Sequence, residues 1–246
     1  MQLINTITLK DNYTWILHNM QNKAIIFDCG DFEKLDSFLT QHNLIPEFVC
    51  ITHNHWDHVD GIANLVKKYQ CKIVSHETLQ TLFKVDMVVK NFDVIQLLGE
   101  AFKIYEAGGH TNNQIIYHNE DKKMLFVGDV LFNLGCGLLI DGSYEAMFED
   151  MKLIRSFDGN NKVLCGHNYL KANWFFLQSL GLEDLILEKA LSGLEDNLLD
   201  FEFKHNPFLK YDDKQFKAQL NQAHEDDFNF FVNLRKQRNR FKILGK

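Results

Sequence analysis

Over the first two-thirds of the chain, apolar residues alternate with polar ones or fall in short unbroken runs, the spacing of β-strands. Nine segments carry this signature: Leu3–Leu9, Thr14–His18, Ala24–Asp28, Phe48–Thr52, Lys72–Ser75, Phe102–Glu106, Gln114–Tyr117, Met124–Val127 and Lys162–Cys165. Between some of them the period lengthens and predicts helices over Asp31–His42, Asp60–Tyr69 and Tyr144–Ser156. The connection Asn19–Asn22 is short enough for an antiparallel pair, and strands then alternate with helices. That mixture predicts two sheets packed face to face with helices outside each, not a doubly wound parallel sheet. After Tyr169 the strand signal stops. Amphipathic helical patterns take over at Lys171–Leu180, Glu183–Leu194, Asp212–Asn221 and Asp226–Arg240, with a turn at Lys204–Phe208 where Pro207 disfavours helix at Asn206. The expected organisation is α+β, with a mixed domain over residues 1–169 and a smaller helical domain over residues 170–246.

Composition narrows the picture. At 246 residues the chain suits one large domain with an appendage. Its opening, Met1-Gln2-Leu3-Ile4, lacks the basic-then-apolar order of a secretory signal. No apolar run reaches the ~18 residues of a membrane span, so a cytoplasmic protein is expected. Five cysteines (Cys29, Cys50, Cys71, Cys136 and Cys165) are scattered without a CxxC pair, which predicts buried, reduced thiols. A net charge of −7 argues against nucleic acid or another polyanion as partner. Against that balance, Arg235–Lys246 carries six cationic side chains and no acid. Read alone, this is equally a basic last helix complementing its own dipole.

The decisive stretch is Thr52-His53-Asn54-His55-Trp56-Asp57-His58, a loop between the strand Phe48–Thr52 and the helix that follows. His53 and His55 are two residues apart, so in extended chain their imidazoles point to one side. Asp57 and His58 follow as the chain turns into the helix. Three imidazoles and a carboxylate so close together suit zinc or a metal of similar hardness.

One loop supplies too few donors for two metals, and three further candidates stand at later strand ends. His110 follows Gly109, Asp129 follows Gly128 and His167 follows Gly166. Each repeats one pattern, an apolar strand, then a glycine that lets the backbone approach closely, then a ligand. Singly these are ordinary turn residues; together they converge on one sheet edge. Five neutral imidazoles and two carboxylates leave two divalent ions with positive charge to spare. Water shared between such ions loses a proton near neutrality and becomes a hydroxide nucleophile.

The THxHxDH motif and the later GHT, GD and GH signatures resemble the metallo-β-lactamase superfamily. Within it, Gly135-Cys136-Gly137 and the helical last third resemble glyoxalase II, the hydroxyacylglutathione hydrolases. The resemblance implies a four-layer αββα metallo-β-lactamase sandwich with a smaller C-terminal helical domain. It implies two divalent ions, zinc above all, with iron or manganese also accepted. His53, His55 and His110 would hold one, Asp57, His58 and His167 the other, and Asp129 would bridge them; Asp57 and Asp129 would be the catalytic carboxylates. The implied reaction hydrolyses S-2-hydroxyacylglutathione (S-lactoylglutathione type) to glutathione and a 2-hydroxy acid. Cys136, Gly137, Tyr169, Arg235 and Arg238 would bind the glutathione part, the two arginines as a carboxylate clamp. The match departs from the family at Leu138, where a basic residue is usual, at Ile140, and at Asn113-Gln114. Losing one charge-assisted contact costs ~10- to 150-fold in binding. The competing readings are another thioesterase, a lactonase or a sulfur dioxygenase of the same superfamily, a binding module that keeps the fold, and a nuclease.

Overall fold

A computed structural model describes residues 1–182 and 197–241. A six-stranded sheet has the order β1 (Gln2–Thr8), β2 (Asn12–His18), β3 (Lys23–Phe27), β4 (Ile45–Cys50), β5 (Lys72–His76), β6 (Met87–Val89). Its first three strands are antiparallel and the rest are parallel. The second sheet runs β13 (Lys162–Cys165), β10 (Met124–Gly128), β9 (Ile115–Asn119), β8 (Glu100–Glu106), β7 (Val94–Leu97). It is antiparallel except where β13 joins β10. A small hairpin, β11 (Leu131–Phe132) with β12 (Gly135–Cys136), follows β10.

The layers follow from the burial of each strand. Ile25 and Phe27 of β3 face a core shared with Phe102, Tyr117 and Phe126 of the second sheet. Ala24 and Ile26, one position out of phase, face α1 (Phe32–Gln41) and α3 (Ile62–Tyr69) through Leu35, Leu39, Ile62 and Leu65. A strand buried on both faces reads as an unbroken apolar run, as β3 does. Phe27 stacks on Phe126 across the sheets, and the Tyr117 hydroxyl donates to the Ile51 and Val74 carbonyls. On the far side of the second sheet, Ile116, Leu125 and Val127 share one apolar cluster with α4 (Tyr144–Arg155) and with α5 (Leu170–Ser179). The same cluster takes in α6 (Leu199–His205) and α8 (Asp227–Arg240), while α7 (Lys214–Gln219) adds Phe216. The result is the αββα sandwich, with its C-terminal helices built onto one outer layer.

Several elements differ from the sequence expectation. β6 and β7 had no strong pattern, because both are short edge strands that leave Val88 and Val94 exposed. The helix expected from Asp60 begins at Ile62 as α3, and a separate short helix, α2 (Trp56–Val59), precedes it, with Gly61 between them. A Cβ on Gly61 would lie 2.5 Å from Cys29 Sγ, so the break is a close approach of two segments. Leu199–His205 is helical although the periodicity did not mark it. The helix expected over Glu183–Leu194 lies outside the described residues. All five cysteines are buried and free.

Candidate metal centre

All seven expected ligands lie beyond the carboxyl ends of β4, β8, β10 and β13: Asp57 and His58 in the short helix α2 that follows β4, the other five in the loops that leave those strands. They form two groups: His53, His55, His110 and Asp129, and beside it Asp57, His58 and His167. Within each group the ligand atoms lie within 4.8 Å of one another. Asp129 lies between them, with Oδ2 3.3 Å from His167 Nε2 and 3.5 Å from His110 Nε2. Its Oδ1 is 3.5 Å from His58 Nε2.

The glycines before the later ligands have distinct roles. Gly128 is left-handed, at φ +50°, where L side chains are disfavoured. Gly109 and Gly166 are needed for space: a Cβ would come within 2.3 Å of Met147 Cα and 2.2 Å of Asp129 Oδ1, respectively.

Hydrogen bonds on the outer nitrogens fix how four rings present their inner ones. Thr52 Oγ1 donates to Asp28 Oδ2 at 2.7 Å, so it accepts from His53 Nδ1 at 3.0 Å. His58 Nδ1 donates to Asp28 Oδ2 at 2.9 Å, and His167 Nδ1 donates to Asp11 Oδ1 at 3.0 Å. His110 Nδ1 donates to the Leu138 carbonyl. Each proton therefore sits on Nδ1, and each Nε2 lone pair points into the site. His58 Nε2 and His167 Nε2 face each other at 3.2 Å, and His53 and His110 both aim Nε2 at His55 Nδ1 at 3.0 Å. Asn12 Nδ2 donates to Asp57 Oδ2 at 3.0 Å and turns that carboxylate inward.

Converging lone pairs need a cation or a proton between them. Burial opposes charge on His58, yet the carboxylates of Asp129, Asp28 and Asp57 outweigh it and raise its pKa to about 9. Burial likewise opposes charge on His167, and Asp129 and Asp11 outweigh it. Burial lowers the pKa of His53, His55 and His110. Burial would raise the pKa of Asp129, but the imidazoles of His58, His167 and His53 hold it well below the usual carboxylate range. Asp129 Oδ1 is buried and has no hydrogen-bond partner. A buried carboxylate oxygen without a donor, among lone pairs held inward, fits two divalent cations.

Beside this cluster lies a cavity of about 270 Å³, lined by Phe132, Cys136, Leu138, Tyr169 and Arg238 among others. The Tyr169 ring stacks on His167 at 4.7 Å, so cavity and cluster share a wall. Arg238 Nε donates to Asn173 Oδ1 at 3.1 Å. Gly137 packs directly on the Asp129 carbonyl. Arg235 also lines the cavity, yet it is only 5 % exposed and is bonded within the protein. Leu138, on the cavity lining, and Ile140 are exposed.

Residues 9–167 match the Metallo-beta-lactamase superfamily. A hydroxyacylglutathione hydrolase of Pectobacterium carotovorum subsp. carotovorum is 31 % identical over 243 residues, 94 % of this chain and 96 % of that protein. The chain belongs to the hydroxyacylglutathione hydrolase family of that superfamily. Hydroxyacylglutathione hydrolase 1 of Vibrio vulnificus is 32 % identical, with 96 % of each chain covered. Among solved structures, ETHE1 from Myxococcus xanthus superposes with a TM-score of 0.70 at 18 % identity, covering 98 % of this chain and 93 % of that one. For this hydrolase family member, the sequence pattern pointed to the seven clustered side chains but not to the residues that orient them: Asp11, Asn12, Asp28 and Thr52. The one available signal was position: Asp28 closes a buried strand at φ +62°, an unusual place for a side chain with no further task.

Proposed function

We propose that the chain hydrolyses S-2-hydroxyacylglutathione thioesters, S-lactoylglutathione among them, releasing glutathione and a 2-hydroxy acid. The observation that carries this reading is the set of four Nε2 lone pairs locked inward around an unpartnered Asp129 oxygen. His53, His55 and His110 would hold one divalent ion, Asp57, His58 and His167 the other, with Asp129 between. Zinc suits these donors best, and iron and manganese are compatible with them. When bound, the ions supply Lewis acidity and lower the pKa of water towards neutrality.

The chain's own residues do the rest. Asp57, one-fifth exposed and held by Asn12, offers a carboxylate edge on the open side of the cluster to accept the proton of attacking water. Cys136, Gly137 and Tyr169 form the wall along which the thiol carrier lies, leading the thioester carbonyl to the cluster. The Arg238 guanidinium, on the same cavity, meets a carrier carboxylate. A thiolate departs without a strong general acid, so the site needs no further proton donor. The reading includes a small-molecule substrate, cytoplasmic action, and neither a nucleic-acid nor a membrane partner; no helix among the described residues is long and apolar enough to cross a membrane.

The experiment is hydrolysis of S-lactoylglutathione by metal-loaded protein beside a His110→Ala control. Turnover abolished by the substitution supports the proposal. The exposed apolar side chain of Leu138 on the cavity, with exposed Ile140 two residues on, favours one second reading, a thioester on a less polar carrier. Under that reading the loaded protein would ignore S-lactoylglutathione and cleave other thioesters.

A further inference from the structure

We infer that Arg235 is a positioning residue, which from α8 clamps the strap Gly135–Leu138 and thereby sets the geometry of the His53, His55 and His110 cluster. The starting point is its burial. Phe230, Phe231, Val232 and Leu234 bury the face of α8 that packs on the second sheet's outer layer, and Arg235 goes in with them. A buried guanidinium must find acceptors. Nη1 donates to the Cys136 carbonyl at 2.8 Å and lies 3.4 Å from the Gly137 carbonyl. Nε donates to Asn239 Oδ1 at 3.0 Å, and the guanidinium carbon lies 5.2 Å from the centre of the Phe208 ring.

The strap connects this guanidinium to the ligands. Gly137 N donates to the Val130 carbonyl at 3.1 Å, and any Cβ on Gly137 would meet the Asp129 carbonyl at 2.1 Å. The next carbonyl along, that of Leu138, accepts from His110 Nδ1, and Ile140 N donates to the His110 carbonyl at 3.0 Å. Three successive carbonyls are thus divided between two tasks: those of Cys136 and Gly137 face Arg235, and that of Leu138 holds the His110 ring. A strap gripped on one side presents that third carbonyl in one place, which keeps the proton on Nδ1 and the Nε2 lone pair on the cluster. Both arginines line the cavity, but Arg238, three residues further along α8, is bonded through Nε to Asn173 Oδ1 and not to the strap. The inference rests on the proposed two-metal reading for its activity readout, but not for its metal readout.

The test compares Arg235→Met, Arg235→Lys and Arg238→Met with the natural protein. Each metal-free protein is titrated with Co²⁺, whose visible absorption reports the ligand geometry, and each loaded protein is assayed on S-lactoylglutathione. Arg235→Met is expected to weaken Co²⁺ binding and lower kcat by ~10- to 100-fold, with KM changed less than about threefold. Arg235→Lys, keeping one charged donor, is expected to fall between the two. Arg238→Met is expected to raise KM with an unchanged Co²⁺ spectrum. A natural Co²⁺ spectrum and kcat in Arg235→Met, with only KM raised, would make Arg235 a substrate contact and overturn the inference. If Arg235→Met does not fold, Arg235→Lys decides by the same criteria. If the natural protein binds Co²⁺ but ignores S-lactoylglutathione, the substrate reading fails while the Co²⁺ comparison still tests Arg235.

Discussion

Gly166 is the position where one added carbon should do the most harm. An ideal Cβ there would lie 2.2 Å from Asp129 Oδ1 and 2.8 Å from His58 Cε1, whereas ordinary contact begins at 3.4 Å. The backbone cannot yield easily, because Gly166 N donates to the Gly128 carbonyl and its own carbonyl accepts from Tyr13 N, both at 2.8 Å. In Gly166→Ala the Asp129 carboxylate must therefore move by about 1 Å, a displacement that can cost ~100-fold in rate. Overpacking of this kind also costs ~1–3 kcal/mol of stability, or ~2–4 °C in Tm per kcal/mol at this chain length. Gly108→Ala is the control, since nothing lies within 4 Å of a Cβ there and its φ is not left-handed. Both variants would be measured by thermal unfolding, metal content after dialysis and thioester hydrolysis. Gly166→Ala holding two metals with activity within threefold of the natural protein would refute the crowding argument.

Two further substitutions probe the shell around the ligands. Asp28 accepts from Thr52 N, Thr52 Oγ1 and His58 Nδ1, so Asp28→Asn sets an amide N–H against at least one donor. Zinc affinity should fall ~10- to 100-fold, measured by competition with a chelator; unchanged affinity would show that Asp28 orients nothing. Asp150 is buried in α4 beside Gly109 N, and burial raises its pKa from 3.8 to about 7. A raised carboxylate pKa means that its contribution to stability is full below about pH 4 and is lost as pH rises through about 7, a span of roughly 4 kcal/mol. Asp150→Asn keeps an acceptor for Gly109 N without the charge. Its stability advantage over the natural protein, from urea unfolding, should grow between pH 5 and pH 8; an advantage constant with pH would contradict the assignment.

The sandwich was legible in the strand and helix periodicity, four expected ligands in the dense His53–His58 stretch, and the other three (His110, Asp129 and His167) in a repeated pattern, an apolar strand followed by a glycine and a ligand. The orienting residues were not, since their meaning depends on distant partners: Asp11 meets His167 across 156 positions. Asp11 closes a polar turn and Asn12 opens β2 directly after it, so both look like many other turn-flanking residues. Arg235 was ambiguous for a different reason. A run of basic residues looks the same whether its guanidinium faces solvent, a ligand or a carbonyl strap, and only the packing of α8 separates these. The β6 and β7 strands escaped because an edge strand with one exposed face needs few apolar residues.

The measurement that tests the central claim most directly is the rate of S-lactoylglutathione hydrolysis as zinc is added stepwise to metal-free protein. A two-metal thioesterase gives a rate that climbs and saturates at two equivalents per chain. A protein that takes up two equivalents and stays inactive on this thioester would contradict the substrate assignment. One that saturates at a single equivalent would contradict the two-metal centre.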